Sequence, residues 1–241
     1  MNIILLGSSG GIGEAIIKVL IQNKQNRIYC FQRSPSKNNT LQKKIFIGDL
    51  NDQDHFLKNL NKINKKIKFD ALICNYGVTF IQKSKILSLS NFNFSSTVQN
   101  NLISVFNNIN LCLNTLKFKK NISSFVLISS LSAHLGFPNN PGYIASKGGV
   151  SALTRSFMKD FSNYGFRFNS ISPGYIKTKM TSTSWKLKKK FIENHIPLRR
   201  WGKPNEIANV VEFLISNKSS YINGQDIVVD GGWSKNSFYT D

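Results

Sequence analysis

Apolar and polar positions along the chain fall into two alternating kinds of stretch. Short apolar runs, rich in β-branched and aromatic residues, occupy 2–6, 27–31, 44–47, 69–74, 124–129, 167–171 and 226–229. Each reads as a buried strand. Between them the apolar residues recur at helical spacing: Ala15, Ile16, Val19 and Leu20; Phe56, Leu57 and Leu60; and the segments 98–116, 143–161 and 205–216. A polar, basic stretch at 182–194 also has helical character. Only about a dozen residues join 27–31 to 44–47, near the lower limit for a parallel crossover. The helix expected there is reduced to a loop around 34–39. Strands alternating with helices predict an α/β fold, a parallel sheet covered by helices on both faces, within one domain spanning 1–241. In such sheets ligands gather at the carboxyl ends of the strands, where Gly7, Asn75, Ser130 and Pro173 fall.

Length and composition fit that picture. The 241 residues suffice for one full core, and 41% hydrophobic with 12% aromatic content is globular. No apolar run approaches the ~18 residues of a membrane span, and a first strand beginning at Asn2 predicts no leader segment. The three cysteines, Cys30, Cys74 and Cys112, lack metal-binding or redox spacing, which predicts small core residues in a reducing, cytoplasmic setting and no metal site. A net charge of +20 has two readings. It favours anionic partners, and it also matches a composition rich in Lys, Asn and Ile throughout. The lysine clusters at 62–68, 117–120 and 186–190 are scattered, without the interleaved aromatics that nucleic-acid binding prefers.

Two stretches carry candidate chemistry. Gly7-Ser8-Ser9-Gly10-Gly11-Ile12-Gly13 stands between the first strand and the first helix. Glycines there permit a tight turn and let backbone N–H groups approach a pyrophosphate at the helix's positive end. The second stretch runs from Ser130, at the end of a strand, through a Gly/Pro loop to Tyr143 and Lys147. Tyr143 and Lys147 are four apart and share one helix face. A free tyrosine titrates near ~10, and a neighbouring ammonium is expected to lower that value into a range useful for acid–base work. Ser130 is placed to hydrogen-bond the same substrate oxygen. A Tyr and a Lys at this spacing is also a common surface pair, so the motif alone decides nothing.

Taken in order, the glycine turn, Asn75-Tyr76-Gly77, Asn101-Leu102, Ser130, Tyr143-x-x-x-Lys147, Pro173-Gly174 and Asp230-Gly231-Gly232 resemble the short-chain dehydrogenase/reductase family from Asn2 to Gly232. The resemblance implies a Rossmann-type, doubly wound parallel sheet and an NAD(P)-dependent oxidoreductase acting on a carbonyl or secondary alcohol. It implies Tyr143 as acid/base, Lys147 as its electrostatic partner and ribose ligand, Ser130 as carbonyl polariser and Asn101 as holder of a relay water. It places Gly7, Ser9, Gly11, Ile12 and Gly13 at the pyrophosphate, Asp49 and Leu50 at the adenine, and Asn75 and Gly77 beside the cofactor. Pro173, Gly174, Ile176 and Thr178 would lie against the nicotinamide. Leu6 departs from the family's frequent Thr before the first glycine, which loses a hydroxyl contact.

Cofactor choice turns on the end of the second strand, Phe31-Gln32-Arg33-Ser34, which has no acid to hold free ribose hydroxyls. Arg33 can make charge-assisted bonds to a 2′-phosphate, with Ser34 or Lys37 adding to them, so NADP(H) is favoured and NAD(H) stays open. The segment 196–208 resembles 3-oxoacyl-carrier-protein reductases, and is shared with sugar and polyol dehydrogenases. The substrate is therefore a carrier-bound or small-molecule carbonyl compound. Asn121 and Tyr164 stand where carrier-binding reductases often place Arg, which speaks for the small molecule. A cofactor-sensing protein without chemistry conflicts with the intact tetrad, and nucleic-acid or membrane partners are not expected. The resemblance implies a homo-oligomer, tetramer or dimer. Trp185, Leu187 and Phe191 would form an apolar wall over the substrate, a subunit contact or a mobile lid.

Overall fold

The central apolar runs are buried on both faces because alternate residues feed two separate cores. The computed structural model describes residues 1–33, 43–79 and 91–236. In chain order its first elements are β1 (Asn2–Leu6), α1 (Gly11–Leu20), β2 (Arg27–Gln32), β3 (Lys43–Ile47), α2 (Gln53–Asn61), β4 (Lys68–Phe69) and β5 (Ala71–Cys74). Then come α3 (Asn91–Val98), α4 (Ser104–Thr115), β6 (Lys117–Phe118), β7 (Ser124–Ile128), α5 (Pro141–Asp160) and β8 (Arg167–Pro173). The last are α6 (Ser182–His195), α7 (Pro204–Ile215) and β9 (Asp226–Val229). The expected loop around 34–39 lies outside the described residues.

Seven strands form one parallel sheet in the order β3-β2-β1-β5-β7-β8-β9. Ile4, Leu6, Leu72, Phe125 and Leu127 point into the core under α2, α4 and α5. Ile3, Leu5, Ile73, Val126 and Ile128 point into the other, under α1 and α7. That alternation follows from the period of two along a strand, and burial on both faces explains the unbroken apolar runs. The order reverses between β1 and β5, so a crevice opens above their carboxyl ends.

Two elements differ from the sequence reading. The run 69–74 is interrupted at Asp70, whose carboxylate accepts from the Asn2 N–H at 2.7 Å and the Lys119 ammonium at 2.6 Å. Residues before Asp70 pair instead with β6, Lys68 opposite Lys117 and Phe69 opposite Phe118. The helix expected over 98–116 begins earlier and contains a π-helical turn, Gln99–Ile103, between α3 and α4. Its wider ring offsets the helix face and buries Asn101 completely. Small residues then let α5 close on this turn. A Cβ on Gly149 would come 2.6 Å from the Leu102 side chain.

Candidate active site

The crevice holds two adjoining cavities that share Asn75, Tyr76, Gly77 and Met180. The larger, about 660 Å³, runs from the glycine turn (Gly7, Ser9) to Arg33 and past Asp49 and Leu50. The smaller, about 130 Å³, is lined by Ser130, Tyr143 and Lys147, with Ile12 and Pro173 among the facing residues. Gly174, Ile176 and Thr178 complete that side. Gly11 and Gly13 serve as packing points. A Cβ on Gly11 would lie 3.1 Å from Thr178, and one on Gly13 would lie 2.5 Å from the Gly7 carbonyl.

The glycine turn is built for close backbone approach. Gly7 has φ +82°, and a Cβ there would come within 2.6 Å of Tyr76. Asn75 locks the turn to the neighbouring strand, donating from Nδ2 to the Gly7 carbonyl at 2.8 Å. Helix α1 starts at Gly11 with no side-chain cap among the described residues, so its leading N–H groups and dipole are presented at the crevice. An anionic pyrophosphate fits that end.

At the smaller cavity, the end of β7 supplies Ser130 and α5 supplies Tyr143 and Lys147. The Ser130 and Tyr143 side chains face each other across it. Lys147 is 4% exposed, its Nζ donating to the Ile128 carbonyl at 2.8 Å and lying 5.9 Å from the centre of the Tyr143 ring. Here the structure corrects the expected electrostatics. Burial raises the Tyr143 pKa above its ordinary value, and the neighbouring Ser130 hydroxyl only opposes that shift. Burial lowers Lys147 to about 8, with Cys74 opposing. Both groups are pushed towards neutrality by the same loss of solvent.

Asn101 is brought to the same place, and three side-chain hydrogen bonds tie it to the protein. Its Oδ1 accepts from the Val78 N–H at 2.7 Å, and Nδ2 donates to the Val78 carbonyl at 2.7 Å and to Ser146 Oγ at 3.2 Å. It clamps the chain leaving β5. Sequence reasoning overlooked Ser146, which is buried and donates to the Tyr143 carbonyl at 2.8 Å. It also overlooked Lys179 and Met180, which line the larger cavity; the basic run after Pro173 was the available signal. Trp185 does not stand alone as a wall. It packs edge-on against Trp201 at 5.2 Å, beneath the ammoniums of Lys177 and Lys189, whereas Leu187 and Phe191 are exposed.

This fold and this crevice define a nicotinamide-dependent oxidoreductase class, and the comparisons agree. A family profile described as enoyl-(acyl carrier protein) reductase matches residues 7–234. The chain belongs to the short-chain dehydrogenase/reductase family, enzymes that act on carbonyl and alcohol groups with NAD(P). The 3-oxoacyl-[acyl-carrier-protein] reductase FabG of Rickettsia conorii is 31% identical, the match covering 95% of each chain. That of Buchnera aphidicola is 36% identical over 78% of this chain and 76% of the relative. A crystal structure of a short chain dehydrogenase family protein from Francisella tularensis superposes with a TM-score of 0.87 at 27% identity, over 98% of this chain and 99% of that one. Among the described residues no helix is long and apolar enough to cross a membrane, and no three His, Cys, Asp or Glu side chains gather as a metal site.

Proposed function

We propose that the protein is an NADP(H)-dependent reductase of 3-oxoacyl thioesters, presented by a carrier protein. The observation that carries the reading is the convergence of Ser130, Tyr143 and Lys147 on one cavity that opens into the glycine-turn cleft. When bound there, a nicotinamide cofactor would supply or accept the hydride. Tyr143 holds the proton that the substrate oxygen gains on reduction, and Ser130 donates to that same oxygen and orients it. Lys147 would anchor the ribose and, while charged, oppose the rise that burial imposes on Tyr143. Asn101 and Ser146 keep the β5 exit and α5 in register. The uncapped start of α1 receives the pyrophosphate.

Arg33 supports the choice of NADP(H). It lines the far end of the larger cavity beside Gln32, which is fixed by the Ser8 hydroxyl at 2.5 Å. The nearest acid in that wall, Asp49, already accepts from the Asn51 backbone and side chain, each at 3.0 Å. A guanidinium in that wall suits a 2′-phosphate.

A second reading, a dehydrogenase of a sugar, polyol or small ketone, is favoured by the surface at 119–121. Lys119 is spent on Asp70, and position 121 offers a neutral side chain, its backbone N–H donating to the Tyr164 carbonyl at 2.9 Å, so neither supplies a free cation to a carrier. Cofactor consumption measured with acyl thioesters, sugars and simple ketones, using NADPH and NADH in parallel, separates the two. Turnover of 3-oxoacyl thioesters with NADPH supports the first reading, and turnover confined to sugars or polyols overturns it.

A further inference from the structure

Behind the cavity lies a second polar cluster, centred on Asp226 of β9, that the chemistry above does not use. Asp226 Oδ2 accepts from His134 Nε2 at 3.0 Å and from Ser151 Oγ at 2.6 Å, and Oδ1 accepts from Ser172 Oγ at 2.8 Å. Ser151 Oγ also lies 2.9 Å from Ser129 Oγ, and Ser129 Oγ lies 2.9 Å from the backbone carbonyl of Lys147. Ser129, Ser151 and Ser172 are all buried. Asp226 thus ties together the loop after β7, helix α5 and strand β8.

Proton counting orders this chain. A carboxylate and a backbone carbonyl can only accept. Ser129 and Ser151 bring two hydroxyl hydrogens to three contacts. Asp226 therefore takes the Ser151 hydrogen, and Ser129 directs its own to the Lys147 carbonyl. Without Asp226, the Ser151 hydroxyl is free to turn back onto that carbonyl, four residues earlier on α5, and displace Ser129.

Each anchor also sits next to a cavity residue. Ser129 precedes Ser130, Ser172 precedes Pro173, and Ser151 lies one helical turn beyond Lys147. We infer that Asp226 is a positioning residue for Lys147, acting through Ser151 and Ser129, with His134 and Ser172 holding its carboxylate in place. The inference rests on the oxidoreductase reading above. A misplacement of an ångström at such a site can cost up to about a hundredfold in rate.

The test compares Asp226→Ala, Ser151→Ala and Ser151→Thr with the wild type. Three quantities are read: NADPH affinity by fluorescence titration, turnover of the best substrate from the screen, and melting temperature. We expect Asp226→Ala to bind NADPH at least about threefold more weakly and to turn over at least about fivefold more slowly. Ser151→Ala leaves Ser129 on the Lys147 carbonyl and should keep wild-type values, as should Ser151→Thr. The double alanine variant should recover towards the wild type, because the hydroxyl that displaces Ser129 is gone, a non-additivity expected of coupled groups. An Asp226→Ala variant that melts earlier yet keeps wild-type affinity and turnover, or a double alanine variant no better than Asp226→Ala, would make the cluster a fastening only and overturn the inference. If Asp226→Ala does not fold, Asp226→Val, whose side chain suits a strand, makes the same comparison. A wild type that binds neither NADPH nor NADH overturns the oxidoreductase reading and this inference with it, whereas a cofactor-competent wild type with an indifferent Asp226→Ala overturns this inference alone.

Discussion

The Lys147 ammonium donates to the Ile128 carbonyl at 2.8 Å, at the last residue of the strand whose continuation carries Ser130. One side chain therefore ties the helix bearing Tyr143 to the strand end bearing Ser130. It also places a buried cation, held down to about 8 by desolvation, in the wall of the smaller cavity.

That shift has a stability consequence with a definite sign. The folded pKa of Lys147 lies below its unfolded value of 10.5, so between about 8 and 10.5 the unfolded chain binds more protons. This group's contribution to stability thus rises with pH across that window, by roughly 3 kcal/mol at most. Lys147→Met should remove that rise and be more stable than the wild type below about pH 8. Denaturant melts of both proteins from pH 7 to 10.5 check this, and parallel pH slopes would contradict it. The same variant should lose turnover and cofactor affinity together, because the ammonium serves both.

Tyr143→Phe keeps the ring and removes the proton. Turnover should fall at least ~10²-fold with cofactor affinity little changed. Single-turnover rates and a cofactor titration on the same preparation measure the two effects separately, and near-normal turnover would remove Tyr143 from the mechanism.

Arg33→Asp should move preference from NADPH towards NADH. A charged hydrogen bond to the 2′-phosphate contributes about 1.5–3 kcal/mol, or roughly tenfold to a hundredfold in affinity. The new carboxylate repels that phosphate and offers acceptors to free ribose hydroxyls. Dissociation constants for both cofactors decide it, and an unchanged ratio would reduce Arg33 to a surface charge.

The parts of this protein written in local pattern were legible. Runs buried on both faces announce their strands, and the Gly7 turn and the Tyr143–Lys147 spacing place the crevice. The illegible parts depend on distant partners. Asp70 breaks its strand because Asn2 and Lys119, far away in sequence, reach it. The π-helical turn at Asn101 interrupts an apolar periodicity that reads as continuous helix. The raised pKa of Tyr143 comes from burial, which spacing does not report.

The last prediction separates functional charge from compositional bias. Lys119 and Lys120 precede β7, at the amino edge of the sheet, whereas Ser130 follows its carboxyl end. Lys119 is further neutralised by Asp70 at 2.6 Å. The lysines of α6 stand differently. Lys186 and Lys190 are exposed on the helix that begins just after Met180 and Thr181, both of which line the smaller cavity. If an acidic carrier delivers the substrate, α6 steers it. Steering fades as ions screen it, over a Debye length of ~8 Å at physiological salt. Lys186→Glu with Lys190→Glu should then raise the KM for a carrier-bound thioester severalfold, with the effect shrinking as salt is added. Turnover of a small ketone by the same variant should not change, so loss of folding cannot imitate the result. Lys120→Glu, at the far edge, should leave both substrates alone. Equal effects on carrier-bound and free substrates, or none on either, would assign the excess charge to composition and favour the sugar, polyol or ketone reading.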